Sequence, residues 1–395
     1  MDSIRNPFAP GAGNPPPEMV GREQVLEKAR VTLGRIRVGR DARSLMLYGL
    51  RGVGKTVLLG EIHKRAEAEK YSSIQLEAPE DKPLGALLYA PIRSLLFKLD
   101  NLEKLNVSVK RALRVLRSFA NSIKVTVGEV EVGLDIDPEV GTADSGDFSH
   151  DLGELFVAVG EAAKARETAV AIIIDELQYV AEPEFAALIS AVHLVAQKQL
   201  PLVIFGAGLP QLVGNAGRAK SYAERLFEFI EIGPLSDVDS RKALRQPVVR
   251  ESVEFSDAAL QKIFDVTQGY PYFLQEWGYE AWEAALTSPI ELAVVDAATT
   301  AAIAKLDKSF FRVRLDRLTP SEKNYLRAMA QLGPGPHRSG DIAILLKRQV
   351  QNLGPVRSSL IRKGMVYSPS HGDTAFTVPL FDDFMKRFDP QFQAK

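Results

Sequence analysis

A glycine-rich segment near the N-terminus has the residue types that bind phosphate. The stretch Gly49-Leu50-Arg51-Gly52-Val53-Gly54-Lys55-Thr56 has glycine, lysine and threonine at each fixed position of a phosphate-binding loop. Glycines allow backbone N–H groups to turn inward onto phosphate oxygens, and the positive end of a following helix favours the same anion. Lys55 is expected to bind the β- and γ-phosphates, and the Thr56 hydroxyl to bind Mg²⁺. The segment therefore predicts a site for ATP and Mg²⁺.

Two carboxylates much further along the chain supply the second half of such a site. Asp175 and Glu176 directly follow the apolar run 169–174, which is typical of a strand buried on both faces of a parallel sheet. At the carboxyl end of that strand, Asp175 is expected to hold Mg²⁺ through water. Glu176 is expected to orient and deprotonate the attacking water. Together with Lys55, these residues predict an ATPase that forms ADP and phosphate.

The loop needs a strand before it and a helix after it, and the sequence provides both. Residues 45–48 are apolar and residues 57–62 have helical spacing, which argues against a mere glycine-rich turn. A further buried strand at 201–206 and short strands at 73–76 and 228–232 alternate with helical segments. This alternation predicts an α/β P-loop fold, with a parallel sheet and helices on both faces.

The composition of the chain excludes several classes of protein function. With 395 residues, 46% of them hydrophobic, the chain is long enough for two or three domains with sizeable cores. A formal charge of −1 predicts no global attraction to nucleic acid or anionic membranes. The absence of cysteine excludes disulfides and thiolate metal sites, and the scattered histidines lack ligand spacing. No apolar run approaches the ~18 residues that span a bilayer, so a cytoplasmic protein without a membrane partner is expected.

Changes in pattern divide the chain into four parts. Residues 1–18 form a Pro- and Gly-rich arm, and residues 19–233 the ATPase core. Residues 234–308 have a wholly helical pattern of the size of a lid, and residues 309–395 a pattern of helices and short strands. The arm lies just upstream of the loop, so it either covers the adenine or remains a solvated tail.

An insertion at about 84–149 interrupts the core and is long for a connection in an α/β unit. It contains one apolar helix, one basic helix and, at 123–134, the alternation of apolar and polar residues that is typical of a β-hairpin. Such a hairpin contacts a polymer or another subunit, or it packs as an ordinary insertion. The acidic stretch 135–147 that follows is interpreted as a solvated linker.

The last part of the chain predicts three helices and a strand pair, the composition of a winged helix. A local excess of positive charge accompanies the second and third of these helices, at Arg338, Lys347, Arg348, Arg357, Arg362 and Lys363. A basic face of this kind is typical of proteins that bind the DNA backbone. Double-stranded DNA is therefore a candidate partner.

With the loop, the Asp175-Glu176 strand end, the lid and the winged helix in this order, the chain resembles the AAA+ ATPases. It looks most like the group that includes the origin-recognition-complex ATPases and the STAND signalling NTPases, over about residues 18–390. The resemblance implies that Val20, Gly21 and Arg22 lie beside the adenine.

The same resemblance implies a role for Arg225, just before the last core strand. It matches the position of the family's arginine finger, which reaches the γ-phosphate held by the next subunit. This role implies self-association or a protein partner. The alternative is a surface arginine that pairs with Glu224 or Glu228.

Two departures from the family pattern bear on the rate of hydrolysis. Gly206-Ala207-Gly208 replaces the polar sensor at the end of the fourth strand, so either Gln211 substitutes or sensing is lost. In the lid, Gly269-Tyr270-Pro271 stands at the place where the family has a second sensor arginine. This motif is similar to the Gly-x-Pro of STAND proteins, whose proline lies against the nucleotide. Both departures predict slow hydrolysis.

Three functions are compatible with these patterns. The first is an ATPase that couples its nucleotide state to DNA binding or assembly through the winged helix. The second is a STAND-like signalling switch that holds ADP and uses the winged helix for autoinhibition or protein contacts. The third is a structural ATP-binding subunit without hydrolysis of its own.

Overall fold

A five-stranded parallel sheet forms the centre of the N-terminal half, as the sequence predicts. The structure is a computed structural model, and it describes residues 1–11, 13–99, 106–123 and 137–389. The strand order is β2-β3-β4-β1-β5. The strands are β1 (Ser44–Tyr48), β2 (Ser72–Glu77), β3 (Val170–Asp175), β4 (Leu202–Gly208) and β5 (Phe227–Glu231). The carboxyl ends of β1 and β3, which carry the predicted site residues, therefore lie at the same edge with β4 between them.

Helices cover both faces of this sheet. Side chains alternate along each strand, so Leu45 and Leu47 of β1 enter one hydrophobic cluster and Met46 enters the other. The first cluster is completed by α1 and α2, and the second by α3 to α7. The helices are α1 (Glu23–Arg37), α2 (Lys55–Ala68), α3 (Leu84–Leu99), α4 (Val107–Ser122), α5 (Phe148–Ala165), α6 (Glu182–Gln197), α7 (Gln211–Ala219) and α8 (Ala223–Leu226).

The described part of the insertion packs against the core. Arg111 on α4 contacts Glu139 at 3.5 Å and Glu161 on α5 at 2.6 Å, and Arg114 contacts Glu139 at 3.2 Å. Ala143 is buried in the same cluster as α4 and α5. Seven of the eleven described residues of the acidic stretch, 137–147, are exposed, in keeping with the predicted solvated linker, whereas Glu139 and Ala143 attach it to the core. The predicted hairpin lies outside the described residues from residue 124 onward.

Four helices follow the sheet, as predicted for the lid. They are α9 (Asp237–Arg250), α10 (Asp257–Thr267), α11 (Pro271–Ala284) and α12 (Leu292–Leu306). A single π-helical turn, Asp307–Phe311, joins α12 to α13 (Arg312–Asp316). Throughout the described ranges, no helix has the length and apolar character needed to cross a membrane.

The remaining elements form the C-terminal unit, a name used here for residues 320–388. They are α14 (Pro320–Gln331), β6 (His337–Arg338), α15 (Ser339–Leu345), α16 (Val350–Arg362), β7 (Val366–Tyr367), β8 (Asp373–Phe376) and α17 (Phe381–Phe388). The strands form an antiparallel sheet in the order β6-β8-β7. The helices and the β7-β8 pair agree with the predicted elements, whereas β6 and α17 are additional.

One hydrophobic cluster runs through both the lid and the C-terminal unit. The ring of Phe311 lies 5.7 Å from that of Phe381 and 5.1 Å from that of Phe384, both on α17. A continuous core of this kind resists separation, because exposing it costs roughly 25 cal/mol for each Å² of apolar surface. The lid and the C-terminal unit are therefore one packed body, and the domain boundary at 308–309 stays a prediction.

The first residues of the N-terminal arm bind to the lid. Phe8 is buried against Gly278 of α11, where an added Cβ would lie 2.8 Å from the Phe8 ring. The Asn6 side chain donates a 2.8 Å hydrogen bond to Glu283, and the Trp282 indole donates one of 2.9 Å to the Asp2 carbonyl. The solvated tail that the sequence left open is thus disfavoured.

Candidate nucleotide-binding site

The glycine-rich loop connects β1 to α2 in a conformation that requires its glycines. The Gly49 N–H donates to the Gly208 carbonyl at 3.2 Å, and a Cβ on Gly49 would lie 2.1 Å from the Ile232 carbonyl oxygen. Gly52 and Gly54 have φ angles of +83° and +92°, in the left-handed region that favours glycine. The loop is thereby shaped as the phosphate-binding pattern predicts.

Lys55 is held inside this loop. Its Nζ donates to the carbonyls of Gly49 at 3.0 Å and Leu50 at 2.9 Å, and the residue is only 8% exposed. Burial lowers the pKa of the Lys55 ammonium to about 8, although the nearby charges of Glu176 and Asp175 act in the opposite direction. A buried cation bonded only to neutral carbonyls is well suited to bind an anion.

This pKa predicts a pH dependence of ATP binding. A bound phosphate favours the charged form of Lys55. Below about pH 8 Lys55 is already charged, so ATP binding takes up no proton. Above this pH, Lys55 must take up one proton for each ATP that binds. ATP affinity at about pH 9 is therefore expected to be about tenfold weaker than at about pH 7. Calorimetry in buffers of different ionisation enthalpy measures both the affinity and the proton uptake. Lys55→Arg, which stays charged, should remove the dependence, and an unchanged dependence in that variant would assign it to another group.

Thr56 and Asp175 meet at the edge of the sheet. The Thr56 hydroxyl donates a 2.6 Å hydrogen bond to Asp175 Oδ2. Asp175 is 5% exposed, and burial raises the pKa of its carboxyl, as it does for Glu77 at the end of the adjacent β2. A hydroxyl and a carboxylate this close are hard oxygen donors of the kind that Mg²⁺ prefers. The pair therefore fits the metal site that the sequence predicts.

Glu176 has a backbone conformation that is unusual for its residue type. Its φ is +56°, which places this non-glycine residue in the left-handed region next to β3. One carboxylate oxygen lies 3.8 Å from the Arg51 guanidinium, and the other accepts a hydrogen bond from Gln178 Nε2. Strain of this kind concentrates at functional sites, because the surrounding contacts must maintain it.

Gln178 is a site residue that the sequence analysis missed. Besides binding Glu176, its Oε1 accepts a 2.9 Å hydrogen bond from the Leu209 N–H, just beyond β4. It thus links the carboxylate to the strand end where the sequence has only glycine and alanine. Neither Gln178 nor the predicted substitute, Gln211, lines the pocket, but the Gln211 Oε1 is buried without a hydrogen-bond partner in the described part of the chain, whereas Gln178 binds Glu176. Gln178 lies three residues after Asp175, and no local pattern distinguishes it.

The arm, the loop and the start of α11 enclose one pocket. Its wall includes Val20, Arg22 and Pro271, three residues of the predicted nucleotide-binding set, together with arm residues such as Asn14. The Arg22 guanidinium donates to the carbonyls of Val53 at 3.1 Å and Gly233 at 2.6 Å. The remaining residue of the predicted adenine segment, Gly21, lies outside this wall, with a φ of +69° and the Asp239 side chain against it.

Arg225 is not part of this pocket. It is exposed at the end of α8. Glu228, its predicted alternative partner, contacts Lys28 and lies 3.8 Å from Arg43. Arg225 therefore has no ion pair among the described residues. Its position leaves it accessible to a neighbouring chain.

The six basic residues of the C-terminal unit fall into two groups. Arg338, Lys347, Arg348 and Arg362 are exposed. Arg357 instead donates to Ser368 Oγ at 2.7 Å and the Asp373 carbonyl at 2.8 Å, and Lys363 donates to Glu322 at 2.8 Å. The second group is thus bonded within the unit.

The C-terminal unit also contacts the phosphate-binding loop directly. The Arg51 N–H donates to the Thr377 carbonyl at 3.0 Å, and the Arg51 guanidinium donates to Tyr179 Oη at 2.7 Å and to the Gly364 carbonyl at 3.4 Å. From the lid, the Tyr272 N–H donates to the Gly52 carbonyl at 3.1 Å. None of these individual contacts was predicted from the sequence, although the signalling-switch hypothesis expects the C-terminal part of the chain to fold back on the nucleotide site.

Two protein-family models match the chain. A model described as AAA ATPase domain matches residues 18–205, and one described as domain of unknown function (DUF8462) matches residues 308–385. This chain contains an AAA ATPase domain. The AAA ATPase domain includes the loop, Asp175 and Glu176, so the resemblance inferred from those residues is confirmed.

Several solved structures are similar to this chain, and the first of those named here supports the same fold. A Walker-type ATPase of Pyrococcus abyssi is 16% identical with a TM-score of 0.55, and the match covers 93% of this chain and 96% of that one. The Orc1 protein of Aeropyrum pernix in complex with DNA is 15% identical (TM-score 0.48; 98% and 96% covered). A RuvB variant of Thermotoga maritima is 14% identical (TM-score 0.47; 91% and 93% covered). Among curated protein sequences, none matches significantly.

Proposed function

We propose that this protein binds ATP with Mg²⁺, hydrolyses it slowly and uses its nucleotide state to control the attachment of the C-terminal unit. The observation that carries the proposal is the convergence of Lys55, Thr56, Asp175 and Glu176, from two distant segments, at one sheet edge. Its AAA ATPase domain supports nucleotide binding independently.

Each residue of the convergent set has a distinct role in this proposal. The loop N–H groups and Lys55 bind the phosphates, while Thr56 and Asp175 hold the metal. Bound Mg²⁺ would neutralise charge on the β- and γ-phosphate oxygens. Glu176 accepts a proton from the attacking water, and Gln178 holds its carboxylate in place. Val20, Arg22 and Pro271, which line the same pocket, would contact the nucleoside part of ATP.

Arg225 acts between subunits in this proposal. Because it is exposed and lies outside the pocket of its own chain, it is available to the γ-phosphate held by a second copy. Hydrolysis per subunit should then rise with protein concentration, since only associated chains receive the arginine.

The contacts of Arg51 support control of the C-terminal unit by nucleotide. The same residue belongs to the phosphate-binding loop, lies beside Glu176 and hydrogen-bonds to Thr377 and Gly364. A change in the phosphates bound by the loop therefore acts directly on the contact with the C-terminal unit.

The test is a nucleotide analysis of the purified protein combined with steady-state hydrolysis. Chromatography of the heat-released nucleotide identifies ATP or ADP, and phosphate release is followed over a range of protein concentrations. Retained nucleotide with slow turnover that rises with concentration is the expected result. A site that neither retains nor binds ATP or ADP would contradict the proposal.

A second candidate function is DNA binding by the C-terminal unit, which we propose to be a winged helix. Its helices and antiparallel sheet, together with the exposed side chains of Arg338, Lys347, Arg348 and Arg362, favour this candidate. Arg357 and Lys363 are excluded as test positions, because they bond within the unit and their loss would weaken its packing.

Lys347→Ala with Arg348→Ala tests this candidate at the turn before α16. The double variant is expected to reduce the slope of log affinity against log salt by about two, because each phosphate contact contributes about one. Fluorescence anisotropy with a duplex of arbitrary sequence measures this slope. A matched double variant of two exposed basic residues outside the unit, Arg40→Ala with Lys198→Ala, should leave it unchanged. Equal slopes for both variants would rule out this face.

A further inference from the structure

Arg314 lies in the wall of the nucleotide pocket, although it comes from α13, just before the C-terminal unit. Its guanidinium carbon is 3.9 Å from the Phe310 ring centroid, and its Nη1 donates to the Phe310 carbonyl at 2.6 Å. The Phe310 ring stacks on Tyr272 with centroids 4.8 Å apart. Tyr272 is bonded to the loop at Gly52, so this stack fixes Arg314 against the phosphate-binding loop.

No carboxylate in the described part of the chain neutralises the positive charge of Arg314. The cations Arg51 and Arg317 act on it instead. Burial and the charge of Arg51 lower the pKa of the Arg314 guanidinium to about 10. A largely buried cation without a counter-charge is unfavourable unless an anion binds beside it. The pocket wall thus contains an anion-binding group outside the phosphate-binding loop.

The neighbours of Arg314 indicate which end of the nucleotide it faces. Arg51 lines the same pocket as Arg314 and donates a 2.7 Å hydrogen bond to Tyr179 Oη. Arg51 in turn lies 3.8 Å from Glu176, the proposed base for the attacking water. Since that water attacks the terminal phosphate, this is the γ-phosphate end of the pocket.

We propose that Arg314 binds the terminal phosphate of ATP, so that the pocket distinguishes a nucleoside triphosphate from a diphosphate. The inference deepens the proposed function and rests on it. Arg314 would then be the arginine that binds the terminal phosphate, since the lid motif Gly269-Tyr270-Pro271 contains no arginine.

The location of Arg314 gives this contact a consequence. It lies on the helix that leads directly into α14, in the body that contacts Arg51 through Gly364 and Thr377. ATP would therefore join the core to that body through the Arg314 guanidinium, whereas ADP would leave this contact unmade. ATP is therefore expected to hold the core and the body that contains Arg314 together more tightly than ADP does.

The test compares ATP and ADP affinities of Arg314→Gln, Arg314→Lys and the control Arg317→Gln, all in a Glu176→Gln background with Mg²⁺. Arg317 carries the same charge on the same segment, but it is exposed and outside the pocket wall. Arg314→Gln is expected to weaken ATP binding by about 10- to 100-fold, as for the loss of a charged hydrogen bond, and ADP binding by less than about twofold. Arg314→Lys should restore part of the preference, and Arg317→Gln should leave it intact.

The ratio of the two affinities decides the outcome, because a general weakening of the fold lowers both. If Arg314→Gln keeps the ATP-to-ADP ratio of the parent, whether both affinities fall or neither does, the inference is overturned. A parent that binds neither nucleotide would overturn the proposed function itself, and the inference with it. Thermal unfolding without nucleotide verifies that each variant is folded.

Discussion

Glu176→Gln is expected to lower steady-state ATP hydrolysis by about 10²- to 10³-fold while leaving ATP affinity within about twofold. The amide keeps the shape of the side chain and its contact with Gln178, but it cannot accept a proton from water. Single-turnover phosphate release measures the hydrolysis step, and equilibrium titration with labelled ATP measures binding. The variant should therefore accumulate as an ATP complex.

Glu77→Gln is the matched control for this prediction. Glu77 ends the neighbouring strand, and its pKa is raised by burial and by the charges of Asp175 and Glu176, so its removal makes a similar electrostatic change. It has no proposed role in proton transfer, and hydrolysis should stay within about threefold of the parent. Equal hydrolysis in Glu176→Gln and the parent would favour a structural ATP-binding subunit or a different base.

Gly364→Leu is expected to release the C-terminal unit from the phosphate-binding loop. A Cβ at this position would already lie 2.6 Å from Arg51 Nη2 and 3.0 Å from Tyr179 Oη, so a longer side chain occupies their space. A steric cost of a few kcal/mol shifts the docked population on the order of 100-fold. Because the lid and the C-terminal unit share one core, both should move away together. We expect a larger radius of gyration by small-angle scattering and at least about tenfold faster release of a fluorescent nucleotide.

Gly372→Leu separates this effect from backbone strain. Gly364 and Gly372 have φ angles of +63° and +85°, so leucine is strained at both, but a Cβ on Gly372 meets nothing within 4 Å. The control should lose a similar amount of stability and yet keep the radius of gyration and the nucleotide release rate of the parent. If the two variants behave alike, docking on Arg51 does not control the nucleotide.

The parts of the fold that could be predicted from sequence are those encoded by neighbouring residues. The loop glycines satisfy local φ requirements, and the apolar run before Asp175 has the continuous pattern of a strand buried on both faces. The shared sheet edge then follows from the parallel arrangement, which brings the ends of β1 and β3 together. For these reasons the loop, the carboxylates and the α/β core were all predicted.

The parts that could not be predicted depend on contacts between distant residues. Gln178 becomes a site residue only because β4 ends beside it, and Arg314 only because Phe310 stacks on Tyr272. Neither has a sequence signature, since glutamine and arginine are common on surfaces. Similarly, β6 has two residues, too few to show an alternating pattern, and it exists only through its pairing with β8.

The attachment of the arm to the lid has a mechanical consequence. The lid and the core are joined covalently at 233–234, between the buried Ile232 and Leu235. They are joined a second time by the arm, which is continuous with the core at Met19 and packs noncovalently on the lid through Phe8. Two bodies joined at two points rotate most easily about the line through those points. Ten residues of arm span at most about 36 Å, so the arm sets a limit to the swing. Release from the phosphate-binding loop is therefore a hinged opening of bounded amplitude, and the lid remains tethered throughout.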